Sequence, residues 1–204
     1  NDSLFFFQVG RYWGAVNREG KELIPTNYNV YHRISDNFIR LSRDRKHYCY
    51  SIPAERLITD GEYDNFYPFS SNKVLCKKDR LLGLLNLDGD LVLPARYNEI
   101  QSFNARHYRV KVEQKWGVVS DESVMIIPLE YDYIAPPKGK VCLAKKGFFF
   151  GVLNDLGENP VPFEFGRIEL FADQALAFKW ESMSLFHFDE DGLSKEENAF
   201  KKHF

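Results

Sequence analysis

The chain has 204 residues, 44% of them hydrophobic, and a formal net charge of -2. It carries enough apolar material for a large domain or a repeat array, and its charge gives no global attraction to nucleic acid or to an acidic membrane. Its 18 Phe and 11 Tyr favour half-buried pleated surfaces. Cys49, Cys76 and Cys142 include no C-x-x-C spacing, which argues against a disulfide framework and a thiolate zinc site. No apolar run approaches the roughly 20 residues that span a bilayer.

From the N-terminus, the first patterned segment is Trp13 to Tyr28, WGAVNREGKELIPTNY. The same pattern returns without gaps at Leu82 to Tyr97, Trp116 to Tyr131 and Phe150 to Phe165. With the glycine after the bulky residue as zero (Gly14, Gly83, Gly117, Gly151), an Asn or Ser lies three residues on, a proline eleven on and an aromatic fourteen on. The spacing leaves room for two degenerate copies, with zeros set at Cys49 and Phe186. The six zeros are then 34 or 35 residues apart. This divides the chain into repeats at 1–34, 35–68, 69–102, 103–136, 137–171 and 172–204.

Each repeat reads as three or four short antiparallel strands. Alternation over Arg109–Glu113 predicts a half-buried strand, followed by a hairpin into Trp116–Val119. Asn86-Leu-Asp-Gly89 is a tight turn. A third run such as Val124–Ile127 ends at a proline, which cannot donate to a ladder. The Tyr131-Asp132 pair opens a short fourth piece reaching Ile134, and Ile100 and Ile168 close other repeats in the same way. The only helical expectation is one polar turn over Glu196–Lys202.

A repeat this small must bury its apolar face on its neighbours. The expected fold is all-β, six tandem antiparallel repeats of about 34 residues arranged as a six-bladed propeller-like ring, with an open β-solenoid as the alternative. The chain length equals six such repeats and shows no separate cap, which favours the ring. Blades of about 40–50 residues elsewhere, and the polar Lys195-Glu196 where other repeats have pairs such as Ile126-Ile127, favour the open array.

Arg11-Tyr-Trp-Gly-Ala-Val-Asn17 with Gly20 and Ile24-Pro25, and Lys115-Trp-Gly-Val-Val119 with Ile127-Pro128 and Tyr131-Asp132, resemble the WG repeats found mostly in bacterial proteins. The resemblance implies a β-repeat interaction scaffold without catalysis. It is strong in the first and fourth repeats, good in the third and fifth, and confined to spacing in the second and sixth.

His32, His47, His107, His187 and His203 fall at different offsets, whereas a symmetric metal site would reuse one. Asp64 and Asp132 share the position after the aromatic with Asn29 and Asn98, where bonding to local backbone is expected. Asp189-Glu-Asp191 reads as a solvated turn, and no nucleophile or phosphate-loop motif is present. No enzyme activity, metal or cofactor is therefore expected. Basic residues precede the zeros: Arg40, Arg43, Arg45, Lys46 and His47 in the second repeat, Lys77, Lys78 and Arg80 in the third, and Lys138, Lys140, Lys145 and Lys146 in the fifth, as if on one rim. The expected function is protein–protein interaction, with the second repeat, Asn37 to Phe66, as the contact and Arg40, Arg43, Arg45, Lys46 and His47 as its partner-binding residues. The alternative is a carbohydrate- or nucleic-acid-binding module using aromatic and basic hairpin tips. The odd cysteine count and the lack of a basic-then-apolar leader favour the cytoplasm, although the chain opens on Asn1 and can be truncated.

Overall fold

The computed structural model describes residues 4–180, 182–190, 192 and 194–201. Among these residues the chain is all-β, with six small antiparallel sheets, and no helix is long and apolar enough to cross a membrane. It divides into two compact units, Asn1–Tyr97 and Asn98–Phe204.

The first unit holds three sheets. The first contains β1 (Phe5–Val9), β2 (Tyr12–Val16) and β3 (Glu22–Tyr28). The second contains β4 (Val30–Arg33), β5 (Phe38–Arg43), β6 (Lys46–Ser51) and β7 (Arg56–Leu57). The third contains β8 (Asn65–Ser70), β9 (Lys73–Lys78), β10 (Leu81–Asn86) and β11 (Leu91–Tyr97). The second unit holds the fourth sheet, with β12 (Glu99–Ser102), β13 (His107–Val112), β14 (Lys115–Ser120) and β15 (Met125–Tyr131). Its fifth sheet has β16 (Tyr133–Ile134), β17 (Val141–Lys146), β18 (Phe149–Asn154) and β19 (Val161–Phe165). The sixth has β20 (Arg167–Leu170), β21 (Gln174–Lys179), β22 (Ser182–Phe188) and β23 (Ser194–Lys201).

The zero glycine has a steric reason. In the first sheet Trp13 pairs with Tyr28 and Ala15 with Ile24, so Gly14 alone faces Pro25, Thr26 and Asn27. This is a bulge, and it brings the third strand's backbone against the glycine. A Cβ at Gly117 would lie 2.7 Å from the Ile127 carbonyl oxygen, and one at Gly151 would lie 2.8 Å from that of Val161. Trp116 pairs with Tyr131, Leu82 with Tyr97 and Phe150 with Phe165, each pair next to the same register shift. The proline occupies the bulged stretch, where no ladder donor is needed.

The turn after the second strand is built on one acceptor. Asn17, Asn86, Ser120 and Asn154 each accept two backbone N–H bonds with their side-chain oxygen, from the residues two and four places on. Ser123 adopts φ 61° in the turn of the fourth sheet, where the first, third and fifth have Gly20, Gly89 and Gly157.

Successive sheets stack face to face within each unit. Ala15, Ile24 and Tyr28 of the first sheet pack on Ile39, Leu41, Tyr48 and Tyr50 of the second. Phe38 and Cys49 of the second pack on Phe66, Val74, Cys76 and Leu85 of the third. In the fifth sheet Cys142, Ala144 and Leu153 face the fourth, while Val141, Val152 and Phe165 face the sixth. Alternation along the strand lets such a sheet be buried on both sides.

Four sequence expectations are corrected. The short piece after each Tyr-Asx pair does not close its own repeat. Instead β4, β12, β16 and β20 pair forward with β5, β13, β17 and β21, so the sheets start ahead of the boundaries 35, 103, 137 and 172. The second zero is Tyr48, not Cys49: the bridge from His47 to Tyr63 is the counterpart of Trp13 with Tyr28. The sixth zero is Ser184, since Met183 lies as far past its hairpin tip as Trp13 does past its own. Residues 196–201 are strand rather than a helical turn, because pairing with β22 supplies a ladder that a single polar turn lacks. Residue 202 lies outside the described residues.

Asn154→Ala removes both turn bonds from a residue that is 1% exposed, and is expected to lower unfolding stability by about 1–3 kcal/mol in denaturant titration. Ser123→Gly relieves the positive φ, with an expected gain of about 0.5–1 kcal/mol.

Candidate interaction surface at the hairpin tips

Each sheet contains a hairpin closed by two residues: Gly10-Arg11, Asp44-Arg45, Asp79-Arg80, Glu113-Gln114 and Gly147-Phe148, with Trp180 opening the sixth. The first tip residue has positive φ in all six. Arg45 and Arg80 are also left-handed, at 64° and 70°, as in the two-residue turns that suit strand twist. The residue after the repeat's aromatic caps the next tip. Asp64 accepts from the Asp79 N–H, Asn98 from Glu113 and Asp132 from Gly147. The sequence expectation of a local turn bond there becomes a bond to the hairpin fifteen residues on.

The five basic residues singled out in the second repeat separate into different roles. Arg40 points between sheets, and its Nη1 donates to Asn65 Oδ1 of the third sheet at 2.6 Å. Arg109 holds the equivalent place on β13 and donates to the Ile134 carbonyl across the same 25-residue step. Arg40 is therefore a tie within the fold. Arg43 lies over the rings of Tyr28 and Tyr48, 5.6 and 5.5 Å from their centroids, with Asp44 at 3.9 Å. His47 occupies the tryptophan position, half-buried, with Nδ1 2.8 Å from Ser42 Oγ. Burial lowers its pKa below 6.5; the charge of Arg40 adds to this and Asp64 opposes it. Arg45 and Lys46 alone of the five are exposed at the tip and make no ion pair among the described residues.

The tip register adds Arg11, which the sequence reading passed over. Arg11, Arg45 and Arg80 are the second tip residues of the three stacked sheets in the first unit, and all are exposed. Lys46, Lys77 and Lys78 flank them, but Asp44, Asp60, Glu62, Asp64 and Asp79 are interleaved, so the surface is a row of discrete cations and not a basic field. The single rim expected in the fifth repeat is corrected. Lys145 and Lys146 end β17 at the tip, whereas Lys138 and Lys140 precede its start, a strand length away. Lys146 pairs with Glu130 at 3.0 Å and Lys138 donates to the Leu170 carbonyl.

Among the described residues no group of three His, Cys, Asp or Glu side chains converges as a metal site. The three cysteines are free and buried, and burial pushes the Cys76 thiol up to about 11 and that of Cys142 to about 12. Asp132 is held below the usual carboxylate range by Lys115 at 2.6 Å and by the Gly147 N–H. Asp191 and His203 lie outside the described residues.

The sequence profile described as "WG containing repeat" matches residues 13–46, 83–116 and 116–147. None of the curated proteins compared matches the sequence. Solved structures with low similarity include one described as a eukaryotic initiation factor, at 10% identity over 95% of this chain and 62% of that one, with a TM-score of 0.41. Hsv2 of Kluyveromyces lactis with its complete loop 6CD gives 10% identity, 82% and 62% coverage and a TM-score of 0.39. PorZ, a type-IX secretion component of Porphyromonas gingivalis, gives 9%, 98% and 31%, and 0.32. The chain thus spans less than two thirds of the initiation-factor chain and about a third of PorZ.

Because the folded pKa of His47 is lowered, the unfolded chain takes up the proton first on acidification. Its contribution to stability is thus complete above 6.5 and falls as pH drops below that value. His47→Phe is expected to flatten this part of a stability–pH profile measured by chemical denaturation.

Proposed function

Because the chain belongs to the family of WG-containing repeats, we propose that it is a non-enzymatic β-repeat scaffold that holds another protein, and that its first unit grips an extended acidic segment along Arg11, Arg45 and Arg80. The observation that carries this reading is the recurrence of arginine at one tip position in three stacked sheets. Facing sheets pack roughly 10 Å apart, the length of about three residues of extended chain. A partner in the polyproline II conformation, which turns once every three residues and rises roughly 3.1 Å for each, would present an acidic residue at every third position to the row in register. The fold gives Arg45 and Arg80 no hydrogen bond or ion pair among the described residues, and both hold left-handed φ that glycine adopts at lower cost, while Arg11 bonds only the hydroxyl of its neighbour Tyr12. The repeated polar side chains, Asn17, Asn86, Asn154, Asp64, Asn98 and Asp132, are meanwhile spent on backbone N–H groups.

The propeller-like ring belongs to the same proposal. It is supported by the face-to-face stacking of consecutive sheets within each unit. Spin labels at Gln8 and His187 report on it. A closed ring brings them within neighbouring-sheet range, whereas six sheets in an open array separate them by about 50 Å.

The binding proposal is tested by fluorescence anisotropy with two peptides of one composition, one with glutamate at every third residue and one with the glutamates grouped at an end. Tighter binding of the spaced peptide is expected, weakening as salt rises, with at least a tenfold loss in the R11A/R45A/R80A triple variant. Equal binding of both peptides, or an unaffected triple variant, contradicts the reading.

A further inference from the structure

The second unit carries a different set of tips. Phe148 is 90% exposed and Trp180 98% exposed, with Phe149 at 46% and Tyr133 at 44% beside them. The position of Phe148 holds Arg11, Arg45, Arg80 and Gln114 in the other sheets, and that of Trp180 holds Gly10, Asp44, Asp79, Glu113 and Gly147. Trp180 has φ 52°, a conformation in which a bulky side chain is an outlier. The fold therefore has two reasons to reject tryptophan here, backbone strain and an uncovered indole, and it would be served better by glycine. Strain of this kind is kept where it serves something other than stability.

The fifth and sixth sheets stack through Val141, Val152 and Phe165 against Ile168, Ala175 and Ala177. The two equivalent tips therefore stand side by side, roughly one sheet spacing of 10 Å apart. They are convex. A cleft of about 410 Å³ beside these two sheets, lined by Pro136, Lys138, Leu143 and Phe171, lies toward the other ends of β17 and β21. Of the lysines below the tips, Lys146 pairs with Glu130 and Lys179 with Glu164, both at 3.0 Å, and the half-buried Lys145 lies over the Phe150 ring.

We propose that Phe148 and Trp180, supported by Phe149, form a contact with a lipid bilayer surface, inserting at the headgroup boundary. Protruding aromatics with lysines set behind them are the composition that lies in that layer, and a fluid layer requires no complementary pocket. With Lys146 and Lys179 paired and Lys145 half-buried against Phe150, the exposed aromatics dominate the contact, so zwitterionic lipid suffices. This contact is separate from the arginine row of the first unit and does not depend on the acidic-partner reading.

The test uses the full chain with phosphatidylcholine vesicles, measured by flotation and by quenching of tryptophan fluorescence with brominated lipid. Weak, reversible association is expected, insensitive to salt and with strong quenching. Trp180→Gly is expected to abolish most of the quenching and weaken binding at least tenfold while leaving the melting temperature unchanged or higher, and Phe148→Ser is expected to weaken binding similarly. The proposal is overturned by wild-type protein that does not float, by binding that survives both substitutions, or by binding that needs anionic lipid and vanishes with salt. Self-association in the absence of lipid that Trp180→Gly removes would assign the tips to a second copy and equally overturn it.

Discussion

The close approach between the bulged third strand and the glycine opposite it organises each regular repeat. Three residues must fit across from one, and they fit only if that one has no side chain. The bulge excludes a ladder donor and admits proline, and it swings the chain so that the aromatic returns opposite the bulky residue before the glycine. The Trp-Gly pair, the Ile-Pro pair and the tyrosine are thus one constraint seen at three places in sequence. The two sheets that lack the glycine solve the problem differently. In the second sheet Tyr48 takes the place, the stretch opposite widens to 58–62, and Gly61, in the bend after β7, lies against the Tyr48 ring, which is 3.0 Å from a would-be Cβ. In the sixth sheet Ser184 faces an unbroken ladder through Ala199, Asn198 and Glu197, with the only shift displaced to Ser182.

Face-to-face stacking uses the side chains that alternate along the strands, and Asx side chains use up the turn and tip donors. What remains uncommitted among the described tip residues is Arg45, Arg80 and Phe148 at the second place and Trp180 at the first. Two chemistries occupy those places, arginine in the first unit and exposed aromatics in the fifth and sixth sheets. Arg45, Arg80 and Trp180 sit on positive-φ backbone that glycine would hold more comfortably, so at those three places the side chain costs the fold something.

Much of this was legible in sequence. The four intact copies define their own strands and pairings, because a steric requirement fixed their spacing. The two degenerate copies were placed one and two residues late. Tyr48-Cys49 and Leu185-Phe186 offer a bulky residue at the expected interval, and only strand pairing shows that His47 and Met183 stand in the tryptophan place. The short piece after Tyr-Asx was assigned to the wrong side, since its sequence does not reveal whether it pairs backward or forward. Arg40 looked like a surface cation because charge is visible in sequence while its reach to Asn65 is not. Arg11 and Trp180 were missed for the converse reason: a tip position is defined by the pairing of the strands around it. Counting two residues back from Trp13 and Leu82 finds Arg11 and Arg80 in sequence, whereas Arg45 joins them only once pairing puts His47 in the tryptophan place.

The central claim is tested most directly by comparing Gly117→Ala with Ser184→Ala in chemical unfolding together with amide hydrogen exchange. The glycine change forces a methyl against the Ile127 carbonyl, while the serine change meets no bulge. The expected result is a loss of about 1–3 kcal/mol for Gly117→Ala with faster exchange confined to β15 and its partners, and a change within about 0.5 kcal/mol for Ser184→Ala. Equal stability and unchanged exchange in the glycine variant would contradict the claim that close approach at the bulge defines the repeat.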